Sequence, residues 1–170
     1  MKRKEHKCEY DIHNTTPVTK AFLDWQLDPD KQLLDYGVGL NLKQKYFNWL
    51  DEKFKVDRIG LFYRFTIPYI NTQGKPLYVY VQKRRGKVFL TDDCKTIRDL
   101  KDRGFHFSAK RKRHIEYILK TCDVKIDKDA LVCIATTDKF ARQLHSFVQA
   151  MLLIDGLFTA DQAEAESQSN

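Results

Sequence analysis

Leu77-Tyr78-Val79-Tyr80-Val81 alternates aliphatic and aromatic side chains without a break. Successive side chains of a β-strand point to opposite faces, so Leu77, Val79 and Val81 share one face and both tyrosines the other. Such a strand needs paired neighbours, and the flanking sequence supplies them. A β-rich run from Ile59 to Ile67 precedes it, set apart by Pro68 and the turn-forming Asn71-Thr-Gln-Gly74. After Arg84-Arg85-Gly86 a further run, Lys87 to Thr91, returns. The centre of the chain therefore reads as an antiparallel meander of three strands.

Helical spacing brackets the meander. Tyr46, Phe47, Trp49, Leu50 and Phe54 form a stripe expected to face the core. Asp92 or Asp93 can cap a helix whose apolar positions are Cys94, Ile97 and Leu100, with Gly104 as its left-handed stop. Ser108 caps a second helix carrying Ile115, Ile118, Leu119 and Cys122. A strand from Leu131 to Ala135 precedes a long helix from about Asp138 to Ile154. That helix turns Phe140, Leu144, Phe147, Val148, Met151 and Leu152 inward and ends at Gly156. The expected class is α+β: an antiparallel sheet of three to five strands packed against helices, with a long C-terminal helix and a helical N-terminal extension.

Three segments follow from this. Residues 1–40 are the extension, in which Thr16-Pro17 opens a helix, Phe22 and Trp25 offer a partner-docking surface, and Gly37 and Gly39 loosen the chain. Residues 41–157 are a single domain. Residues 158–170, small, polar and acidic, are expected to be a disordered tail. No run approaches the roughly 18 apolar residues of a membrane span, and the basic start runs into Cys8, Glu9, Tyr10 and Asp11 rather than an apolar signal core. Four cysteines, at 8, 94, 122 and 133, lack metal-type spacing and read as reduced thiols.

Charge is concentrated. Residues 83–113 hold twelve Lys and Arg against four Asp, a surplus of eight in a chain whose net charge is +7. The cations form two groups: Lys83, Arg84, Arg85 and Lys87 at a hairpin tip, and Lys110, Arg111, Lys112 and Arg113 in the first turn of a helix. Cations in a first turn oppose the helix dipole at roughly 0.3–1 kcal/mol each. Their retention there suits the binding of a polyanion, nucleic acid first. Tyr63, Tyr69, Tyr78, Tyr80 and Phe107 could add rings on which bases stack, or could instead cover a second helix. The reading draws its main support from both basic groups facing one surface.

Tyr46-Phe-Asn-Trp49-Leu50, Thr66-Ile-Pro68-Tyr69, Tyr78-Val-Tyr80 and Phe89-Leu-Thr-Asp-Asp-Cys94-Lys-Thr-Ile97 with Leu100, followed by Gly104 before a helix, resemble domain-of-unknown-function family 1828. The resemblance covers roughly residues 43–157, and its most specific part is the Leu-Thr-Asp-Asp string. The family pattern carries Gly after the two aspartates, where this chain has Cys94. The resemblance implies a fold and a setting in phages, prophages and other bacterial mobile elements, and no established activity.

Chemistry is sparse. Asp92 and Asp93 at a strand end form a possible polar site: they can cap the helix, or hold a divalent ion against a phosphate as a metal-dependent nuclease would. Cys94 with His106, His114 or His145 could pair as nucleophile and base, but no spacing selects a pair. There is no Gly-rich phosphate loop, zinc-finger spacing or Gly-x-Ser-x-Gly elbow, so no catalytic residue, metal site or cofactor is assigned. The expected function is a non-enzymatic accessory protein of a phage or mobile element, acting in the cytoplasm of the bacterial host. It would bind nucleic acid or a host nucleoprotein through its basic surface, with a defence system such as CRISPR as a target. The alternatives are a protein-interaction module, with a host defence protein as partner, and the nuclease.

Overall fold

A computed structural model describes residues 36–167, with side chains over 39–159. The chain divides into residues 1–46 and 47–170. Of the first, the described part is the opening of helix α1 (Tyr36–Lys53). The expected docking residues Phe22 and Trp25 lie outside the described residues.

The second unit is built on an antiparallel sheet of six strands, one more than the upper expectation. These are β1 (Lys55–Ile59), β2 (Phe62–Ile70), β3 (Pro76–Arg84), β4 (Lys87–Thr91), β5 (Lys125–Asp127) and β6 (Ala130–Thr136), in the spatial order β1-β2-β3-β4-β6-β5. Between β4 and β5 come α2 (Lys95–Asp102) and α3 (Ala109–Thr121); after β6 a 3-10 turn at Thr137–Lys139 leads into α4 (Phe140–Ser167). The run read as one strand from Ile59 is broken by Gly60, at φ 58, so that Gly60 and Leu61 turn β1 back on β2. Among the described residues, no helix is long and apolar enough to cross a membrane.

The alternation of β3 has the expected result. Leu77, Val79 and Val81 are buried, with Val88 and Leu90 of β4 and Leu131, Cys133 and Ala135 of β6 on the same face. Against them pack Ile97 and Leu100 of α2, Ile115 and Leu119 of α3, and Phe147, Val148, Met151 and Ile154 of α4. Phe65 stands edge-on between Phe54 and Phe140, with centroids at 5.5 and 5.8 Å. Of the expected stripe, Leu50 and, just past the end of α1, Phe54 are partly buried, whereas Tyr46, Phe47 and Trp49 are 45–51 % exposed.

Helix ends follow the capping rules in part. Ser108 accepts a hydrogen bond from Arg111 N at 3.3 Å, as expected of an N-cap. Gly104, at φ 80, closes α2: its N–H donates to Lys101 O and that of Phe105 to Leu100 O, the Schellman pattern. In α3 Asp123, at φ 53, plays the glycine's part, with Val124 N donating to Leu119 O. Gly156 does not end the last helix, which continues to Ser167, so the expected disordered tail is helical over most of its length. One glycine costs about 1 kcal/mol in a helix, and the Ala- and Glu-containing residues that follow favour continuation. Gly37 and Gly39 likewise lie inside α1 rather than loosening the chain before it.

Candidate functional site

Among the described residues, the helices that pack on the sheet cover one of its faces. In-register neighbours point the same way, so the strand pairing defines what the other face carries. One row runs Asp57, Arg64, Tyr80, Thr91, Val132, Lys125. Beside it lie Lys55, Thr66 and Tyr78 on one side, and Gln82, Phe89 and Ile134 on the other. The last row is Arg84, Lys87 and Thr136. No core residue of a described helix lies on this face. Ile134 is 66 % exposed there, while Tyr78, Tyr80 and Phe89 are partly exposed. Its strand positions hold Lys55, Arg64, Arg84, Lys87 and Lys125 against Asp57 and Asp127, a positive excess. Arg64 donates to Asp57 at 2.9 Å and lies 5.3 Å from the centre of the Tyr78 ring.

The hairpin tip sits at one end of this face. Lys83, Arg84, Arg85, Gly86 and Lys87 are all exposed, and among the described residues none of its four cations makes an ion pair. Arg85 and Gly86 form a two-residue turn with φ of 50° and 74°. Two positive φ values define the I′ turn, which favours Asn-Gly; an arginine in the left-handed region costs roughly 1–2 kcal/mol.

The second basic group is elsewhere. Lys112 lines a groove of about 420 Å³ with Lys101, Ile115, Glu116 and Asp129. Asp129 precedes the first residue of β6, whereas Lys87 pairs with Thr136, its last. The two groups thus lie at opposite ends of β6, about 20 Å apart at strand rise, and α3 belongs to the helical layer behind the sheet. The structure therefore does not gather Arg84 and Arg85 with Lys110, Arg111, Lys112 and Arg113 on one surface. Arg111 also turns inward, donating to His106 O at 2.8 Å with its guanidinium 5.2 Å from the Phe105 ring centre. Other cations of the strip are paired: Lys95 with Asp99, Lys101 with Asp129, Arg103 with Asp155. Of the rings considered, Tyr78 and Tyr80 lie on the open face. Tyr63 pairs with the core-facing Val81, Phe107 packs against the core, and Tyr69 follows Pro68 near the end of β2.

Asp92 is fully buried and accepts three backbone N–H bonds. Its Oδ1 takes Cys94 N at 3.1 Å and Leu131 N at 2.8 Å, and its Oδ2 takes Thr96 N at 2.8 Å. The carboxylate caps α2 from three residues before its first residue and also fastens it to β6. Burial pushes its pKa above the usual carboxylate value, against the downward pull of these donors and of Thr96. Asp93 is exposed, at φ 55. Among the described residues no three His, Cys, Asp or Glu side chains gather as a metal site would require. Both Asp92 oxygens are occupied by backbone donors, so the geometry favours a structural role.

Cys94 follows at φ 65, with its Sγ 3.7 Å from Lys128 O. It therefore takes up the left-handed backbone that glycine adopts more readily. Cys94→Gly should stabilise the fold by about 0.5–1 kcal/mol, relief of strain outweighing the entropy of glycine. A raised urea midpoint with unchanged slope is the expected result; a lowered midpoint would show that the thiol contact matters more. The other described thiols are buried, and burial pushes Cys133 up to about 11.

A family model described as the domain of unknown function DUF1828 matches residues 67–154, more than half of the chain. The chain belongs to this family. No curated protein and no solved structure matches it. The matched part of the DUF1828 domain takes in the end of β2, β3 to β6, α2, α3 and the first half of α4, and with them the hairpin tip and the Asp92 clamp. It leaves out α1 and β1.

Proposed function

We propose that this DUF1828 protein is a non-enzymatic accessory factor that binds nucleic acid through the β3–β4 hairpin tip and the adjoining open sheet face. The observation that carries the reading is Arg85: a cation occupies a turn position that Asn or Gly would fill with less strain, between Arg84 and Lys87, and none of the three has an acidic partner among the described residues. A strained residue retained at an exposed, unpaired position is best accounted for by what it binds. Tip cations lie at the surface where phosphates can reach them, and Arg84 and Lys87 continue onto the open face. The family resemblance supports a setting in a phage or mobile element and action in the cytoplasm of its bacterial host. There the protein would compete for the RNA or DNA of a host nucleoprotein, including one of a defence system.

The test is a variant carrying Arg84→Ala, Arg85→Asn and Lys87→Ala, titrated against labelled RNA and DNA at several salt concentrations. Asn-Gly suits the I′ turn, so the fold should be at least as stable as the parent. Losing three phosphate contacts should weaken binding about 30- to 100-fold at low salt and reduce the slope of log K against log salt by about 2–3. Parent binding that is undetectable or independent of salt would overturn the proposal. An unchanged slope in the variant would remove the tip from it.

A further inference from the structure

We infer that the open sheet face is a stacking platform for unpaired bases, so that the ligand is a single strand rather than a duplex; this rests on the nucleic-acid reading above. Tyr78 and Tyr80 stand two residues apart on one face of β3, about 7 Å at strand rise. Phe89 lies opposite Gln82, which makes it the diagonal neighbour of Tyr80, about 7–8 Å away across the pair. The Arg64 guanidinium lies over the Tyr78 ring, leaving Tyr80 and Phe89 as the platforms. This spacing of about 7 Å along and between the strands is about twice the 3.4 Å rise per nucleotide of a stacked strand. It accepts bases splayed apart, one per ring, and not bases kept in a helical stack. A duplex buries its base faces and would leave Tyr80 and Phe89 without partners.

Charge argues for this occupant over an apolar one. The same face carries Lys55, Arg84, Lys87 and Lys125 around the rings, beside the Arg64–Asp57 pair. Backbone phosphates of a strand lying across β3, β4 and β6 would run past the hairpin tip, while its bases turn down onto Tyr80 and Phe89. Nothing in this arrangement selects one base over another, because every base has a π-face.

The test uses the full chain and labelled oligonucleotides of roughly twelve nucleotides, as single-stranded RNA, single-stranded DNA and duplex of the same sequence. Single strands should bind at least ten-fold more tightly than the duplex. Tyr80→Leu with Phe89→Leu, which preserves apolar bulk, should weaken single-strand binding about 30-fold and leave duplex binding and the salt slope unchanged. Tyr80→Phe, which retains the ring, should bind like the parent. Equal affinity for strand and duplex, with the leucine variant unaffected but the tip variant impaired, would overturn the inference and leave the basic-tip reading standing. Absence of binding to any of the three would overturn both. A leucine variant that breaks up an oligomer without altering single-strand affinity would assign the face to a second copy of the chain and also overturn it.

Discussion

Asp92→Ala should lower the free energy of unfolding by about 3–5 kcal/mol, measured by urea denaturation. The mutation strips the acceptor from three backbone N–H groups at once, those of Cys94, Thr96 and Leu131. Each buried donor left unsatisfied costs about 1–3 kcal/mol, and water entering the vacated space recovers part of the total. Asp92→Asn should cost less, about 2–3 kcal/mol, because one oxygen remains while the amide nitrogen faces the donors. The metal-dependent nuclease reading makes a different demand on the same residue: a variant that folds normally and loses cleavage in magnesium or manganese. A normal urea midpoint for Asp92→Ala would refute the clamp described here.

A loss of similar size is expected for Arg103→Met. Arg103 follows the end of α2 and meets Asp155 of α4 at 2.5 Å, both side chains being largely buried. Its other nitrogens reach Thr72 Oγ1 at 2.7 Å and Asp99 O at 3.1 Å, and its guanidinium lies 4.3 Å from the Phe158 ring centre. Asp155 also accepts Thr72 N at 2.6 Å. Removing the cation leaves a buried carboxylate with one backbone donor, and breaking such pairs costs about 3–5 kcal/mol. Asp155→Leu alone should be comparably damaging. The double variant should cost less than the two single losses added, because neither charge is then left alone. Strict additivity in that cycle would mean that the pair contributes through packing rather than charge.

These two polar contacts show where sequence reasoning reaches its limit. A cap is local: Asp92 stands four residues before Thr96, and that much is readable. Its bond to Leu131 spans 39 positions and depends on β6 pairing with β4, which no spacing announces. Arg103 and Asp155 are 52 apart, and in the sequence each is one charge among many. The meander was legible because Leu77 to Val81 alternates, and the end of α2 because glycine marks the left-handed turn. The end of α3 was not, since Asp123 adopts the same conformation without that signal. β1 and β5 are short and charged, and neither carries an alternation that stands out. The basic strip looked continuous because it is continuous in the chain. Folding divides it between the two ends of β6 and commits Lys95, Lys101 and Arg103 to carboxylates.

Those two short strands also govern how the protein meets its own copies. An edge strand exposes unpaired N–H and C=O groups, and a long apolar edge invites sheet-to-sheet polymerisation. Here one edge is Lys55-Val-Asp-Arg-Ile59 and the other only Lys125-Ile-Asp127. Five residues bearing three charges, and three residues bearing two, offer little for another strand to extend. The aromatic residues that would make such a sheet prone to aggregate are instead set in its interior rows, on β3 and β4. Short, charged edges limit the strand pairing through which a sheet displaying Tyr80 and Phe89 could template fibrils.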